Sequence, residues 1–246
     1  MVKKLNPTLA EENVEQQLKE TICEAGRLLF SRGMVASNDG NISCRTPDGN
    51  ILVTPTGVSK GAMKPEMLLK CDMDGNVLSG NWKKTSELPM HLRAYAERTD
   101  IQAVVHAHPP TATGFACAGE PMDDYVATEA VYALGCVPVA PYGTPSTPEV
   151  PNSIAPLLAE YDAILLEFHG VLTVGADVMS AYYLMESVEQ YAKICLTVRQ
   201  IAPNRMMPVD KINAWLDVRK KANVPGKHPG FRKLPRYPAG YWYLDD

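Results

Sequence analysis

Two histidines stand one residue apart in the segment AVVHAHPPTATGFA, residues 103–116, at the end of an apolar run. Alternation along a strand sends residues i and i+2 to the same face, so the rings of His106 and His108 are expected to project together. The dipeptide PP that follows ends the strand and leaves both rings at its terminus. His169 ends the apolar run AILLEF and precedes a glycine, at a second predicted strand end.

A zinc site that keeps an open position for substrate typically takes three protein ligands, and three imidazoles at strand ends can supply them. A carboxylate is available in Glu87, just before the strand that carries the histidine pair. The alternative is that the histidines are partly buried groups held by backbone hydrogen bonds, which is the commoner role of a single histidine. The predicted strand-end positions favour a metal site.

Two further residues compete for a place in that site. His91 follows Glu87 by four residues, on the same helical face, and is a rival ligand, although packing or support of the ligands is the favoured interpretation. Glu167 stands two residues before His169 and could share its face. A solvated or paired carboxylate is the favoured interpretation of Glu167.

Three short motifs could bind a phosphate. SNDGNIS, TPTG and TSE are rich in glycine, hydroxyl and amide groups, and each lies at a predicted turn or helix start where backbone N–H groups are free. Each motif alone is weak, because such turns are common. TSE, however, places Thr85 and Ser86 directly beside Glu87.

The elements that must position these residues follow from periodicity and turn signals. Short strands separated by PDGN and MDGN predict a largely antiparallel early sheet: NISCR, NILVTPTG, MLLKCD and NVLSG. IQAVVHAH, VPVAPYG and AILLEFHGVLTVG are later strand candidates. Five helices are predicted: EENVEQQLKETICEAGRLLFSRG, SELPMHLRAYAER, a helix that starts at PPTATGFACAG, STPEVPNSIAPLLAEY and ADVMSAYYLMESVEQYAKICLTVRQI. Ser86 is the expected N-cap of the second helix, and the fourth is also expected to be capped.

Composition excludes several classes of function. A net charge of -4 and a pI near 5.8 give no general attraction to nucleic acid or to an anionic membrane. No apolar run is long enough for a spanning helix, and the polar N-terminus does not fit a signal peptide, so a cytoplasmic location is expected. The six cysteines have no close pair, which is typical of reduced, mostly buried thiols.

Taken in order, the motifs GNIS, TPTG, TSELPMH, HAHPP and HG resemble those of the class II aldolase/adducin family, over about residues 14 to 202. The resemblance implies a three-layer αβα fold with a central mixed, largely antiparallel sheet, and a homotetramer with active sites between subunits. It implies that His106, His108 and His169 bind Zn²⁺, with Mn²⁺ or Co²⁺ as alternatives. Glu87 would be the acid/base that also ligates the resting metal. The implied phosphate-binding residues are Gly40, Asn41, Thr56, Gly57, Thr85 and Ser86.

The resemblance implies an aldolase that cleaves a phosphorylated ketose to dihydroxyacetone phosphate and an aldehyde, through a metal-stabilised enediolate. A glutamate at position 87 fits the aldolases of the family, whereas the epimerases carry aspartate there. A decarboxylase of a 3-oxo sugar-acid phosphate and a methylthioribulose-phosphate dehydratase are alternatives on the same fold. A scaffold like the adducin head is disfavoured, because a scaffold has no need of the three histidines.

One position departs from the family pattern. Ala127 stands where the fuculose-phosphate aldolases carry a tyrosine that reaches the neighbouring subunit's site, and Tyr125 and Tyr132 are out of register. We expect a domain over residues 1–222 and a C-terminal arm over residues 223–246. The arm carries Phe231, Tyr237, Tyr241, Trp242 and Tyr243. It is either a loose tail or a clamp on a neighbouring subunit that replaces the missing tyrosine.

Overall fold

A computed structural model describes residues 9–236, with side chains from residue 13. The helices are α1 (Leu9–Ser31), α2 (Leu88–Glu97), α3 (Pro110–Cys117), α4 (Thr128–Ala133), α5 (Glu149–Leu158), α6 (Val178–Ile201) and α7 (Val209–Lys221). The strands are β1 (Asn41–Arg45), β2 (Ile51–Val53), β3 (Leu69–Cys71), β4 (Val77–Ser79), β5 (Ala103–Ala107), β6 (Val139–Ala140), β7 (Ala163–Leu166) and β8 (Gly170–Gly175). Short 3-10 helices span Lys60–Ala62 and Pro65–Met67.

The eight strands form one sheet in the order β4-β3-β2-β1-β5-β8-β7-β6. Every neighbouring pair is antiparallel except β6 and β7, which are parallel. In the centre of the sheet, His106 of β5 is paired with Asn41 of β1 on one side and with Leu172 of β8 on the other. The prediction of a mixed, largely antiparallel sheet is confirmed.

Helices cover both faces of this sheet because its central strands bury side chains on both sides. Val105 of β5 belongs to a buried core with α1, α3 and α6, and the adjacent Val104 belongs to a second core with α2, α5 and α7. The three-layer αβα fold expected from the sequence is therefore confirmed. His106, like Val104, lies on the face that α2 covers, because strand residues two apart share a face.

Several local expectations are wrong in detail. Ser86 is not the N-cap of α2, because Glu87 occupies that position and its side chain makes no capping hydrogen bond. α5 follows Pro148 and also lacks a side-chain cap. AILLEFHGVLTVG is a hairpin of β7 and β8, not one strand, and α7 was not predicted.

The first part of the C-terminal arm packs on its own chain. The backbone N–H of Arg232 donates to the Tyr125 hydroxyl at 2.8 Å, and that of Leu234 donates to the Asp123 carboxylate at 2.8 Å. The ring of Phe231 lies edge-on to Tyr125, with centroids 5.0 Å apart. Residues 223–236 thus make these contacts within their own chain, and the role of the arm towards a neighbouring subunit stays a prediction. The other arm aromatics, Tyr237, Tyr241, Trp242 and Tyr243, lie outside the described residues.

The six cysteines agree with the expectation of reduced, mostly buried thiols. All six cysteines are unpaired, and all except Cys117 are buried. Within residues 9–236, no helix combines the length and the apolar character that crossing a membrane requires.

Candidate active site

Three histidines converge where β5 and the hairpin of β7 and β8 meet. His106 lies on β5, His108 follows the strand directly, and His169 lies in the three-residue loop between β7 and β8. Their ring centroids are 4.6 to 5.2 Å apart. Gly170 permits this approach, because a Cβ there would lie 2.6 Å from the His108 ring. The sequence could not measure this proximity, since His169 is more than sixty residues from the pair.

The hydrogen bonds of the rings leave nitrogen lone pairs pointing into the cluster. His106 donates from Nδ1 to the carbonyl of Val171 at 3.0 Å, so its Nε2 is unprotonated. His108 Nδ1 lies 3.5 Å from an Asp39 carboxylate oxygen, which favours a proton on Nδ1. Burial lowers the pKa of His106 to about 3 and also lowers the pKa of His108. Both imidazoles are therefore neutral at neutral pH, the form that binds metal.

A cation fits between these nitrogens. The Nε2 atoms of His106 and His108 are 3.1 Å apart, and two lone pairs at that distance repel each other unless a positive charge lies between them. Two nitrogens bound to one tetrahedral zinc at about 2.0 to 2.1 Å lie roughly 3.3 Å apart. The three histidines are grouped so that one nitrogen from each lies within 4.8 Å of the others. The donor set thus fits a divalent metal ion.

Glu87 supplies a carboxylate to the same point. Its Oε1 lies 3.1 Å from His169 Nε2 and its Oε2 lies 3.5 Å from His106 Nε2. The Asn41 amide donates to Oε2 at 2.7 Å. Burial alone would raise the pKa of Glu87, but the two histidines and the amide outweigh it and hold the pKa well below its usual range. Glu87 is therefore an ionised carboxylate in contact with the cluster.

The backbone before α2 fixes the direction of Glu87. The N–H of Glu87 donates to the Thr85 hydroxyl at 3.2 Å, and the carbonyl of Glu87 accepts from Met90 N–H at 3.0 Å. With φ -97° and ψ 6°, Glu87 lies in the sparsely populated bridge region, where many active-site residues are found. Ser86, Ser146 and Thr147 line a small cleft beside it.

The three motifs that the sequence predicts to bind phosphate lie close to this carboxylate. Asn41 joins the GNIS segment to Glu87 through the hydrogen bond already described. The N–H of Thr56 donates to the carbonyl of Lys83 at 3.0 Å, which ties the TPTG turn to the segment before Thr85 and Ser86. Gly40 has φ 74°, and a Cβ there would lie 2.9 Å from the carbonyl oxygen of His106, so this turn packs directly on the histidine strand.

A buried lysine that was not singled out from the sequence joins two of these turns. Lys60 is only 1% exposed, and its ammonium donates to the carbonyls of Asn38 at 3.0 Å and Val58 at 2.9 Å. Burial lowers the pKa of Lys60 to about 8, although Asp39 and Glu87 raise it in part. A lysine is ordinarily exposed, so its residue type does not predict burial. The one signal in the sequence is that Lys60 lies in the glycine-rich segment directly after TPTG.

Neither of the two rival residues joins the histidine cluster. Both ring nitrogens of His91 are occupied, Nε2 by the Asn41 side-chain oxygen and Nδ1 by the Ser43 hydroxyl. Glu167 is buried, not solvated, and accepts a hydrogen bond from the backbone N–H of Tyr142 at 2.8 Å. His91 thus contacts the cluster only through Asn41 and Glu87.

Fold and site together define an α/β protein with a largely antiparallel sheet and a potential metal centre of three histidines and a glutamate. The profile of the Class II Aldolase and Adducin N-terminal domain matches residues 20–196. The chain therefore belongs to the class II aldolase and adducin family, as its motifs indicated.

Named relatives carry two kinds of lyase activity. The 3-oxo-tetronate 4-phosphate decarboxylase of Escherichia coli K12 is 35% identical over 189 residues, which are 74% of this chain and 87% of the decarboxylase. The L-fuculose phosphate aldolase of Methanococcus maripaludis is 34% identical over 169 residues, which are 68% of this chain and 90% of the aldolase. The crystal structure of L-fuculose-1-phosphate aldolase from Thermus thermophilus superposes with a TM-score of 0.69 at 30% identity, covering 78% of this chain and 99% of that one.

Proposed function

We propose that this chain is a zinc-dependent lyase that cleaves a carbon–carbon bond of a phosphorylated ketose and releases dihydroxyacetone phosphate and an aldehyde. The observation that carries the proposal is the convergence of three imidazoles and one ionised carboxylate on a single point. Both the M. maripaludis relative and the T. thermophilus structure are aldolases of a sugar phosphate, which supports this class of substrate.

The metal ligands in this proposal are His106, His108 and His169, with Glu87 as a fourth ligand in the resting protein. A bound divalent cation supplies Lewis-acid stabilisation of the negative charge that develops on the substrate oxygens during bond cleavage. The hydrogen bond from His106 to the Val171 carbonyl fixes the tautomer that presents Nε2 to the ion.

Glu87 is the proton carrier in this proposal. When the bond breaks, the hydroxyl on the aldehyde side loses its proton, and the three-carbon fragment must gain one at the carbon that loses its partner. A separate group first takes the proton from the hydroxyl. Glu87, which is ionised and in contact with the cluster, can receive that proton on Oε1 and deliver it to the carbon. Oε2 stays hydrogen-bonded to Asn41.

The phosphate is assigned to the turns around Glu87. The contributing residues are Gly40, Asn41, Thr56, Gly57, Thr85 and Ser86, through backbone N–H groups and hydroxyls. Ser86 is exposed beside Glu87, whereas Thr85 is largely buried and its hydroxyl already accepts from the Glu87 N–H. Ser86 is therefore the side chain best placed to bind a phosphate oxygen. The Lys60 ammonium beneath these turns adds positive charge that favours a dianion.

A second candidate is decarboxylation of a 3-oxo sugar-acid phosphate, and one observation favours it. Ala127 replaces the tyrosine of the fuculose-phosphate aldolases, and the buried Tyr125 hydroxyl already bonds to Gly230 and Arg232. Loss of carbon dioxide from a carboxylate needs no residue to remove a hydroxyl proton, so this reaction tolerates the missing tyrosine. The E. coli relative named above catalyses a reaction of this kind.

We assign the assembly and location on family grounds only. A homotetramer with active sites between subunits would place the Ala127 segment of one chain near the metal of the next. A cytoplasmic location agrees with phosphorylated intermediates of metabolism as substrates.

The decisive experiment incubates zinc-loaded protein with a panel of ketose 1-phosphates and 3-oxo sugar-acid phosphates. Dihydroxyacetone phosphate and carbon dioxide are measured in the same samples, and metal-free protein and the Glu87→Gln variant are the controls. Zinc-dependent release of dihydroxyacetone phosphate with an aldehyde and without carbon dioxide supports the aldolase. Carbon dioxide released from an oxo-acid phosphate supports the decarboxylase, because loss of carbon dioxide from a four-carbon 3-oxo acid 4-phosphate also leaves dihydroxyacetone phosphate. Absence of both products from every substrate would contradict both proposals.

A further inference from the structure

A row of buried polar side chains extends from Glu87 into the core between β1 and α2. Asn41, His91, Ser43 and Tyr95 are each at most 3% exposed. The hydrogen bonds run from Glu87 to Asn41 at 2.7 Å, Asn41 to His91 at 2.5 Å, His91 to Ser43 at 2.6 Å and Ser43 to Tyr95 at 2.8 Å. Arg45 closes the row, with its guanidinium 4.7 Å from the Tyr95 ring centroid.

The spacing of the two elements explains why this row forms. Glu87, His91 and Tyr95 are four residues apart and share one face at the start of and along α2. Asn41 and Ser43 are two residues apart and share one face of β1. The two sets interdigitate, so that each polar group of one element bonds to the next group of the other.

The row has one direction of donation. The ionised Glu87 can only accept, so Asn41 must turn its NH₂ group towards it and its oxygen towards His91. His91 then donates from Nε2 and accepts at Nδ1, because burial lowers its pKa to about 4 and leaves one ring proton. Ser43 must donate to His91, and its own oxygen must accept from the Tyr95 hydroxyl.

Packing alone does not account for these residues. A buried polar group is costly unless it is hydrogen-bonded, and apolar residues of similar size would fill the same volume without that requirement. The neighbouring buried side chains, Met90, Ala94 and Val104, are apolar as that argument expects. Each member of the row instead fixes the orientation of the next, and the row ends at Glu87, the carboxylate that contacts His106 and His169.

We propose that His91 is a positioning residue, which, held by Ser43 and Tyr95, fixes the Asn41 amide so that its NH₂ group holds Oε2 of Glu87. Oε1 is then the oxygen left to carry a proton. This role rests on the proposed lyase function of Glu87. If the Asn41 amide rotated by half a turn, its carbonyl oxygen would face the carboxylate, and Glu87 would lose its fixed direction.

Kinetics of two variants test the role. His91→Leu removes the donor to Asn41, and we expect kcat to fall roughly tenfold to a hundredfold, the scale of one lost hydrogen bond to a charged group, with KM and zinc content little changed. His91→Gln keeps an N–H donor and is expected to restore much of kcat. Ile154→Val, a core change in α5 without polar contacts, is the matched control. Equal kcat in the Leu and Gln variants, or a loss confined to KM, would overturn the proposal.

A measurement independent of activity separates this inference from the proposed function. In protein labelled with ¹⁵N at histidine, the imidazole spectrum reports the tautomer of each ring. We expect His91 to be neutral with its proton on Nε2, and we expect its Nδ1 shift to change in Ser43→Ala. A proton on Nδ1 of His91 would overturn the proposed direction, whether or not a substrate is found. Lack of activity with every substrate, beside the expected tautomer, would instead contradict the lyase function.

Discussion

Lys60 offers a quantitative test of how the turns around Glu87 are built. Its ammonium is buried beneath them and donates to the carbonyls of Asn38 and Val58. Burial lowers its pKa from 10.5 to about 8 in the folded protein. The perturbation is Lys60→Met, which keeps the apolar stem and removes the charge.

The sign of the effect follows from proton linkage. Between about pH 8 and 10.5 the folded protein has released the Lys60 proton, whereas the unfolded chain still holds it. Unfolding therefore takes up a proton, and the free energy of unfolding rises with pH. The cost of burying the charge is fully present below pH 8 and is lost as the pH approaches 10.5. At 1.36 kcal/mol per pKa unit, the full change is about 3 kcal/mol.

The assay is denaturant unfolding of wild-type protein and Lys60→Met at fixed protein concentration from pH 7 to 10. We expect the wild-type protein to gain stability relative to the variant above pH 8, with a constant difference below it. Lys64→Met, which removes an exposed lysine from the same segment, is the matched control. A difference between wild type and Lys60→Met that does not change with pH would refute the reasoning.

The remaining predictions concern the carboxylate, the phosphate and the arm. Glu87→Gln should keep zinc but slow turnover by roughly a hundredfold to ten-thousandfold, and an unchanged rate would remove Glu87 from proton transfer. Ser86→Ala should raise KM for phosphorylated substrates far more than for unphosphorylated analogues, whereas equal effects would indicate that Ser86 does not contact phosphate. Truncation after Ala222 should leave zinc bound but lower the free energy of unfolding by about 3 to 5 kcal/mol, because it unpairs the buried Asp123 carboxylate. Unchanged thermal stability of the truncated protein would show that these arm contacts contribute little.

The sequence predicted those features that depend on short-range geometry. Spacing of a few residues predicts the alternation that puts His106 and His108 together. It also predicts the turns of the early hairpins and the layered sheet. The family pattern added the link between the pair and His169, which lies on another hairpin. The proximity of Glu87 to the histidine pair was predicted because its motif precedes the helix that leads into the strand of that pair.

The features that escaped prediction depend on contacts between distant segments. Nothing near Lys60 in the sequence shows that two carbonyls from separate turns surround it. Ser86 has the residue type of an N-cap, but tertiary contacts start α2 at Leu88, with Glu87 before it. The polar row behind Glu87 forms only when the polar side chains of α2 lie opposite those of β1. That alignment exists only after α2 packs on the sheet.

Zinc stoichiometry in the double variant His106→Ala/His108→Ala tests the central claim most directly. Zinc per chain is measured by elemental analysis after dialysis, with the fold checked by circular dichroism. His228→Ala is the control, since that ring bonds to the Val131 carbonyl away from the cluster. We predict about one zinc per chain in the wild-type protein and the control, and loss of zinc with an intact fold in the double variant. Full zinc occupancy in the double variant would contradict the assignment of this cluster as the metal centre.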